Sequence, residues 1–337
     1  MTIAASAPRA ANIRQVASLA GVSHMTVSRV LNDHPRIAPA TRERVLEAMR
    51  QLSYRPSSAA RTLASRKTNC IGVIVDSGLA LGPGSTLRAI EEAAREHSFT
   101  VTSIAVDRTM HHHNAVESLT AIGIDALCLI TPRVDSIDLL REGWSGLPTL
   151  VVKPEPEPDL LTVSVDQRLG ARLAMQHLIE LGHRDIRHLS GPVDWLDSGA
   201  RAEVWREHIE LIAAPLRPVA VGDWTSDSGY KFGRSLGPAP DATAVFVAND
   251  QMALGLIHAL AESGVRVPQD VSVVGFDDVP DSRHFLPPLT TVRQDFRALG
   301  RLSVETLLAE LEGLDVPQRT LIEPELVVRQ STAPPRG

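Results

Sequence analysis

The sequence predicts an α/β protein in two parts, an N-terminal all-α helix-turn-helix head followed by two doubly wound α/β lobes. Three observations carry this. Apolar residues before residue 56 recur at helical spacing on either side of a glycine turn. From residue 70 onward, short β-branched runs alternate with helical segments, and the alternation occurs twice over. The charge is also split. Residues 1–68 carry eleven basic and three acidic side chains, a net +8, in a chain whose total is −6, so the remainder carries −14. A basic head on an acidic body points to a polyanion as the head's partner. The expected division is 1–56 for the head, 57–69 for a hinge helix and linker, and 70–337 for the two-lobed body.

In the head, Ile13, Val16, Ala17 and Ala20 share one helix face, and the segment halts at Gly21-Val22-Ser23. Glycine takes the turn and serine caps the next helix. That second helix, His24 to Asn32, places Val27, Val30 and Leu31 inward and leaves His24, Met25, Ser28, Arg29 and Asn32 facing outward. Two short helices across such a turn form a helix-turn-helix. After Pro35 and Pro39, a third helix over Thr41 to Leu52 brings Val45, Ala48, Met49 and Leu52 to the same small core. Tyr54-Arg55-Pro56 ends it, because the residue before proline resists the helical region. Ser57 to Ala64 is a short helical candidate without a core of its own.

In the body, strands are predicted at Ile71–Val75, Val101–Val106, Ala126–Ile130, Thr149–Val152, Ile186–Leu189, Val219–Val221, Ala244–Val247 and Val271–Phe276, with a last strand-like segment at Leu326–Arg329. Helical segments such as Leu87–Glu96 lie between most of them, as parallel crossovers require. Ligands of such lobes bind at the carboxyl ends of the strands, and two facing lobes make a cleft. The proline-rich stretch Pro154–Pro158 is expected to be a surface connection between lobes.

Several function classes are disfavoured. No run of about 18 apolar residues occurs and the opening stretch lacks a secretory layout, so a cytoplasmic protein without a membrane span is expected. This weighs against an exported sugar-binding protein for transport, as does the basic head. Cys70 and Cys128 lie in apolar runs and read as buried thiols. Gly78 to Gly84 lacks the Lys-Ser/Thr of a phosphate loop, and no G-x-S-x-G elbow precedes a helix. His111-His112-His113 cannot easily converge on one metal. Neither an enzyme nor a cofactor is expected.

The run Val27-Ser28-Arg29-Val30-Leu31-Asn32, with Thr41-Arg42-Glu43 and Tyr54-Arg55-Pro56, resembles the lac repressor (LacI/GalR) family. The likeness continues through Ile71-Gly72-Val73, Leu181-Gly182-His183, Gly222-Asp223-Trp224, Ala248-Asn249-Asp250-Gln251-Met252-Ala253, Gly275-Phe276-Asp277-Asp278 and Pro287-Pro288-Leu289-Thr290-Thr291, and its C-terminal third is most similar to the family's namesake. The resemblance implies a periplasmic-binding-protein-like body, a homodimer on double-stranded operator DNA, and a small sugar effector, with galactose or a β-galactoside as first expectation. The chain stops soon after its last strand without a leucine-heptad tail, so a dimer rather than a tetramer is expected.

By the same resemblance, His24, Met25 and Arg29 face bases. Ser23, Thr26, Ser28, Asn32 and Arg36 lie nearer phosphates, and Ile13, Thr41 and Tyr54 complete the head's contacts. An arginine can bridge O6 and N7 of guanine for about 1–3 kcal/mol of discrimination. Met25 stands where the namesake carries a hydrogen-bonding side chain, so a different operator is expected. Ser57, Ala60, Leu63 and Ala64 match the family helix that folds on the minor groove, with Leu63 as the wedge.

For the effector, the resemblance assigns ring hydroxyls to Arg201, Asn249 and Asp277, stacking to Trp224, closure from the second lobe to Gln294 and Phe296, and an apolar rim to Leu79, Leu81, Pro83 and Val152. Lys153 stands where the namesake has an acidic hydroxyl-binding residue. Because lysine only donates, the recognised hydroxyl pattern or the ligand charge is expected to differ.

Overall fold

A computed structural model describes residues 11–31, 34–54, 67–76, 80–106, 112–131, 133 and 146–336, with the side chains of His112 and His113 excepted. The expectations placed on Asn32, Ser57, Ala60, Leu63, Ala64, Leu79 and His111 lie outside these residues. The chain divides into two compact units, Met1–Thr68 and Asn69–Gly337.

The head contains α1 (Ile13–Ala20), α2 (His24–Leu31) and α3 (Pro39–Gln51). Asn12 starts α1 with a capping box. Its Oδ1 accepts from the backbone N–H groups of Arg14 and Gln15, while Gln15 Oε1 accepts from the Asn12 N–H. Such an arrangement satisfies donors that the first turn leaves orphaned, for about 1 kcal/mol. Gly21 ends α1 at φ 65°, a left-handed conformation that glycine adopts without a Cβ penalty. Ser23 Oγ accepts from Thr26 N–H at 3.1 Å and so opens α2. Val16, Ala17, Ala20, Val27, Val30, Val45 and Ala48 form the buried core of the three helices. The third helix begins two residues before its expected start because Pro39 suits a first-turn position, where no N–H is needed.

In chain order the body's strands are β1 (Cys70–Asp76), β2 (Thr100–Val106), β3 (Ala126–Ile130), β4 (Thr149–Val152), β5 (Leu161–Val165), β6 (Ile186–Ser190), β7 (Ala220–Val221), β8 (Ala244–Val247), β9 (Ser272–Asp277), β10 (Thr290–Arg293), β11 (Arg319–Ile322) and β12 (Glu325–Val327). Its helices are α4 (Leu81–Glu96), α5 (His112–Ile122), α6 (Gln167–Glu180), α7 (Leu196–Leu211), α8 (Ser226–Leu236), α9 (Asp250–Glu262) and α10 (Phe296–Leu311). One sheet has the order β11-β5-β4-β3-β1-β2 and is parallel throughout. The other has the order β12-β10-β9-β8-β6-β7, with only β12 antiparallel. Their inner strands β1, β3, β4, β8 and β9 are buried along their whole length. Helices cover both faces of such sheets, so their strands read as continuous apolar runs. Cys70 and Cys128 are free buried thiols in the first lobe, and burial pushes Cys128 up to about 12.

The stretch Pro154–Pro158 does not connect the lobes. It joins β4 to β5, which are parallel neighbours in the first sheet, and Glu157 within it is buried against Lys153, Nζ to Oε2 2.8 Å. The lobes are joined at three other places. β5 leads into α6, which packs on the second sheet; β10 leads into α10, which packs on the first; β11 passes directly to β12. Gln167 and Gln294 stand at the first two crossings.

Candidate functional site

On the head, His24, Met25 and Arg29 are exposed along one side of α2, opposite the buried Val27 and Val30. Met25 keeps 55% of its surface accessible. Ser23 and Arg36 are also exposed, while Ile13, Thr26, Ser28, Thr41 and Tyr54 are half-buried at the margins. Arg29 has no ion-pair partner among the described residues, and α2 contains no acidic residue. A short helix presenting donors and an apolar thioether side chain, with no acidic residue of its own, suits the edge pattern and potential of a major groove.

In the body, a cleft of about 720 Å³, including its open mouth, lies between the two lobes at the carboxyl ends of the strands. Leu81, Pro83, Val152, Lys153 and Phe296 line it from the first lobe, and Arg201, Trp224, Asn249, Asp277 and Gln294 line it from the second lobe and its crossing. Sequence reasoning missed Ser164, Gln167, Trp195 and Asp197, which also line it.

Arg201, one turn into α7, is buried and donates through Nε and Nη2 to Gln167 Oε1, at 3.0 and 2.7 Å, and through Nη1 to the Ala248 carbonyl. Its guanidinium lies 3.7 Å from the Phe276 ring centre, a cation–π contact that partly replaces lost hydration. Burial lowers its pKa, and the neighbouring Asp277, Asp197 and Asp250 oppose that shift. Gln167 Nε2 donates to Gln294 Oε1 at 2.8 Å, and Gln294 Nε2 donates to Asp277 Oδ1 at 2.7 Å. A continuous buried chain of hydrogen bonds thus runs from Arg201 through both interlobe crossings to Asp277.

Asn249, assigned by resemblance to ring hydroxyls, is already engaged by the protein. Its Oδ1 caps α9 by accepting from Met252 N–H at 3.0 Å, and its Nδ2 donates to the Trp224 carbonyl and to Gln251. Trp224 itself stands at φ 71°. A side chain at position 191 would meet the Trp224 ring, since a Cβ there would lie 2.2 Å from it. Trp195 meets Trp224 edge to face, with ring centres 5.2 Å apart. These two indoles form an aromatic corner suited to the C–H face of a sugar. Beside it, Arg133 of the first lobe reaches within 3.7 Å of Asp194 on the second, and its backbone bridges Trp195.

The two consecutive aspartates after β9 separate in function. Asp277 (φ 110°) faces the cleft, while Asp278 (φ 53°) pairs with Arg293 at 2.7 Å and Arg329 at 2.5 Å. Left-handed conformations at non-glycine residues cost about 1–3 kcal/mol each and cluster at binding sites. Burial pushes Asp277 up to about 7, with Arg201 opposing. A carboxyl raised from an ordinary value near 3.8 holds a native-state proton that the unfolded chain releases. Stability is therefore largest below pH 4 for this group and falls as pH rises through 7, by at most on the order of 4 kcal/mol. Urea titrations at pH 5 to 8 are expected to show a shallower decline for Asp277→Asn than for the parent; parallel declines would reject this account.

Residues 12–57 match the family model described as bacterial regulatory proteins, lacI family, and residues 175–332 match a periplasmic binding protein-like domain. The lactose operon repressor of Escherichia coli (strain K12) is 36% identical over 328 residues, covering 95% of this chain and 90% of the relative. The crystal structure of the lac repressor dimer bound to operator and the anti-inducer ONPF superposes with a TM-score of 0.89 at 34% identity, covering 96% of this chain and all of that one. A structure of the regulator CelR in complex with cellobiose superposes with a TM-score of 0.71 at 32% identity, covering 95% and 99%. Among the described residues, no helix is long and apolar enough to cross a membrane.

Proposed function

Because the chain belongs to the bacterial regulatory proteins of the lacI family, we propose that it is a sequence-specific transcriptional repressor, not an enzyme, whose operator affinity is set by a small sugar held in the interlobe cleft. It acts in the cytoplasm as a homodimer on double-stranded, pseudo-palindromic operator DNA. Residues 1–56 read the operator, 57–69 form the hinge and 70–337 bind the effector and the second copy. Galactose or a β-galactoside is the first candidate ligand.

The observation that carries this reading is the gathering, in one cleft, of a pre-organised carboxylate, amide and guanidinium network with an aromatic corner. Sugars require fixed hydrogen-bond partners for their hydroxyls and a flat apolar face for their C–H surface. Lys153 does not call for an anionic ligand, because Glu157 neutralises it. Gln167 and Gln294 link the two crossings, so a ligand bridging them favours one lobe arrangement. It controls DNA only as far as the paired heads fit the operator differently in the two arrangements.

Selection of bound sequences from a random duplex pool, repeated with galactose, lactose and cellobiose, tests the reading. A palindromic site whose enrichment changes with one sugar supports it. No enriched sequence under any condition would leave a plain sugar-binding protein. His24→Tyr combined with Met25→Gln is expected to change the selected bases, since the pair replaces the exposed groups that reach the groove; an unchanged site would remove them from base readout.

A further inference from the structure

Most polar groups assigned to the ligand by resemblance already have protein partners. Arg201 is taken up by Gln167 and the Ala248 carbonyl, Asn249 by Met252, Trp224 and Gln251, Gln294 by Gln167 and Asp277, and Lys153 by Glu157. Arg201 uses three of its five N–H donors in these bonds and Asp277 one of its oxygens, so both keep some capacity, but other polar groups of the cleft are wholly unpartnered. Among the described residues, the Asp197 carboxylate has no hydrogen-bond partner, although it lines the cleft in the first turn of α7. On the opposite lobe, Ser164 in β5 is 4% exposed, lines the same cleft, and its Oγ is unpartnered. The Trp224 indole N–H, in the aromatic corner of the same cleft, is also unpartnered. Buried polar groups in folded proteins are almost always hydrogen-bonded, so a set of orphans converging on one cavity marks where a ligand's own polar atoms go.

We propose that Asp197 and Ser164 are the specificity-determining pair of the effector site, Asp197 accepting a hydrogen bond from a hydroxyl of a neutral sugar from the second lobe while Ser164 Oγ meets another of its hydroxyls from the first. This rests on the sugar-effector reading and adds the ligand's class. A sugar carrying a phosphate or carboxylate at the position that meets Asp197 is expected to bind more weakly, because its anion would face the Asp197 carboxylate and Lys153 is already neutralised by Glu157. A ligand spanning both residues also pins the two lobes together, which is what a lobe-closing effector must do.

The test is titration calorimetry on the full chain with galactose, lactose and cellobiose, then with monodeoxy analogues of whichever binds most tightly, and with galactose 6-phosphate. The parent is expected to bind one analogue about 10- to 100-fold more weakly than the complete sugar, the range of a hydrogen bond to a charged group. Asp197→Ala should lose a similar factor for the complete sugar but almost nothing further for that analogue, and Ser164→Ala should show the same pattern with a different analogue and a loss of up to about 10-fold. Losses in Asp197→Ala that are equal for the complete sugar and all its analogues would make the residue structural and overturn the assignment, as would unchanged affinity or tighter binding of galactose 6-phosphate by the parent. If the parent binds no sugar at all, the sugar-effector reading itself fails and the assignment falls with it.

Discussion

Arg201→Leu is expected to give a protein that still binds its operator but no longer responds to sugar. The arginine is the cation of a buried network, stacked on Phe276 and bonded to Gln167 and the Ala248 carbonyl, with Asp197 and Asp277 nearby. Leucine, shorter and apolar, leaves those acceptors without a donor. Breaking a buried charged arrangement by removing one partner costs about 3–5 kcal/mol. Here part of that cost falls on stability and part on binding, because the ligand's hydroxyls would meet a disorganised set of acceptors. The head folds around its own core, so DNA affinity should persist. Operator binding by fluorescence anisotropy, with and without the sugar identified by calorimetry, measures both properties. A variant that remained sugar-responsive would remove Arg201 from the site.

Gly255→Val should be among the most destabilising single changes in the body. A Cβ at position 255 would lie 1.8 Å from the Ser226 carbonyl oxygen and 2.7 Å from the Tyr230 backbone nitrogen, and one at Gly229 would lie 1.9 Å from the Met252 carbonyl. The helices α8 and α9 therefore meet backbone to backbone, and backbone cannot rotate away as a side chain can. Overpacking usually costs about 1–3 kcal/mol, and a valine here should exceed that range. The effect should reach the cleft, because Asn249, which caps α9, also holds the Trp224 carbonyl. Urea denaturation and sugar calorimetry should both report the damage. Gly199→Ala in α7, where nothing lies within 4 Å of the added Cβ, serves as the control and should stabilise slightly, since alanine favours a helix interior. Equal effects at the two positions would refute the packing argument.

The head is legible in the sequence because short helices around a small core depend on period and capping chemistry that are local. Val16, Val27 and Val45 are buried where the spacing places them, and Ser23 caps α2 as expected. In the body, the long central strands are legible from their apolar runs, whereas β5, β10 and β11 are not. Leu161–Val165 includes two hydroxyl side chains, Thr290–Arg293 opens with two more, and Arg319–Ile322 has a mixed edge pattern. Without β5, the proline-rich stretch looks like a bridge between lobes, and Gln167, which begins the next helix, stays hidden. Asp197 carries a sequence signal, since it stands four residues before Arg201 and so shares its helix face.

By itself the sequence determined the two-part plan, the basic head against the acidic body and the outward face of α2, because composition, period and caps act over a few neighbouring residues, while the residue types expected in the cleft came from the family resemblance. Only the tertiary structure decided which of those polar groups are already consumed by the protein and which remain open to a ligand. That distinction depends on partners far apart in the chain, such as Gln167 with Gln294, and on buried groups satisfied or left orphaned by the packing of two lobes.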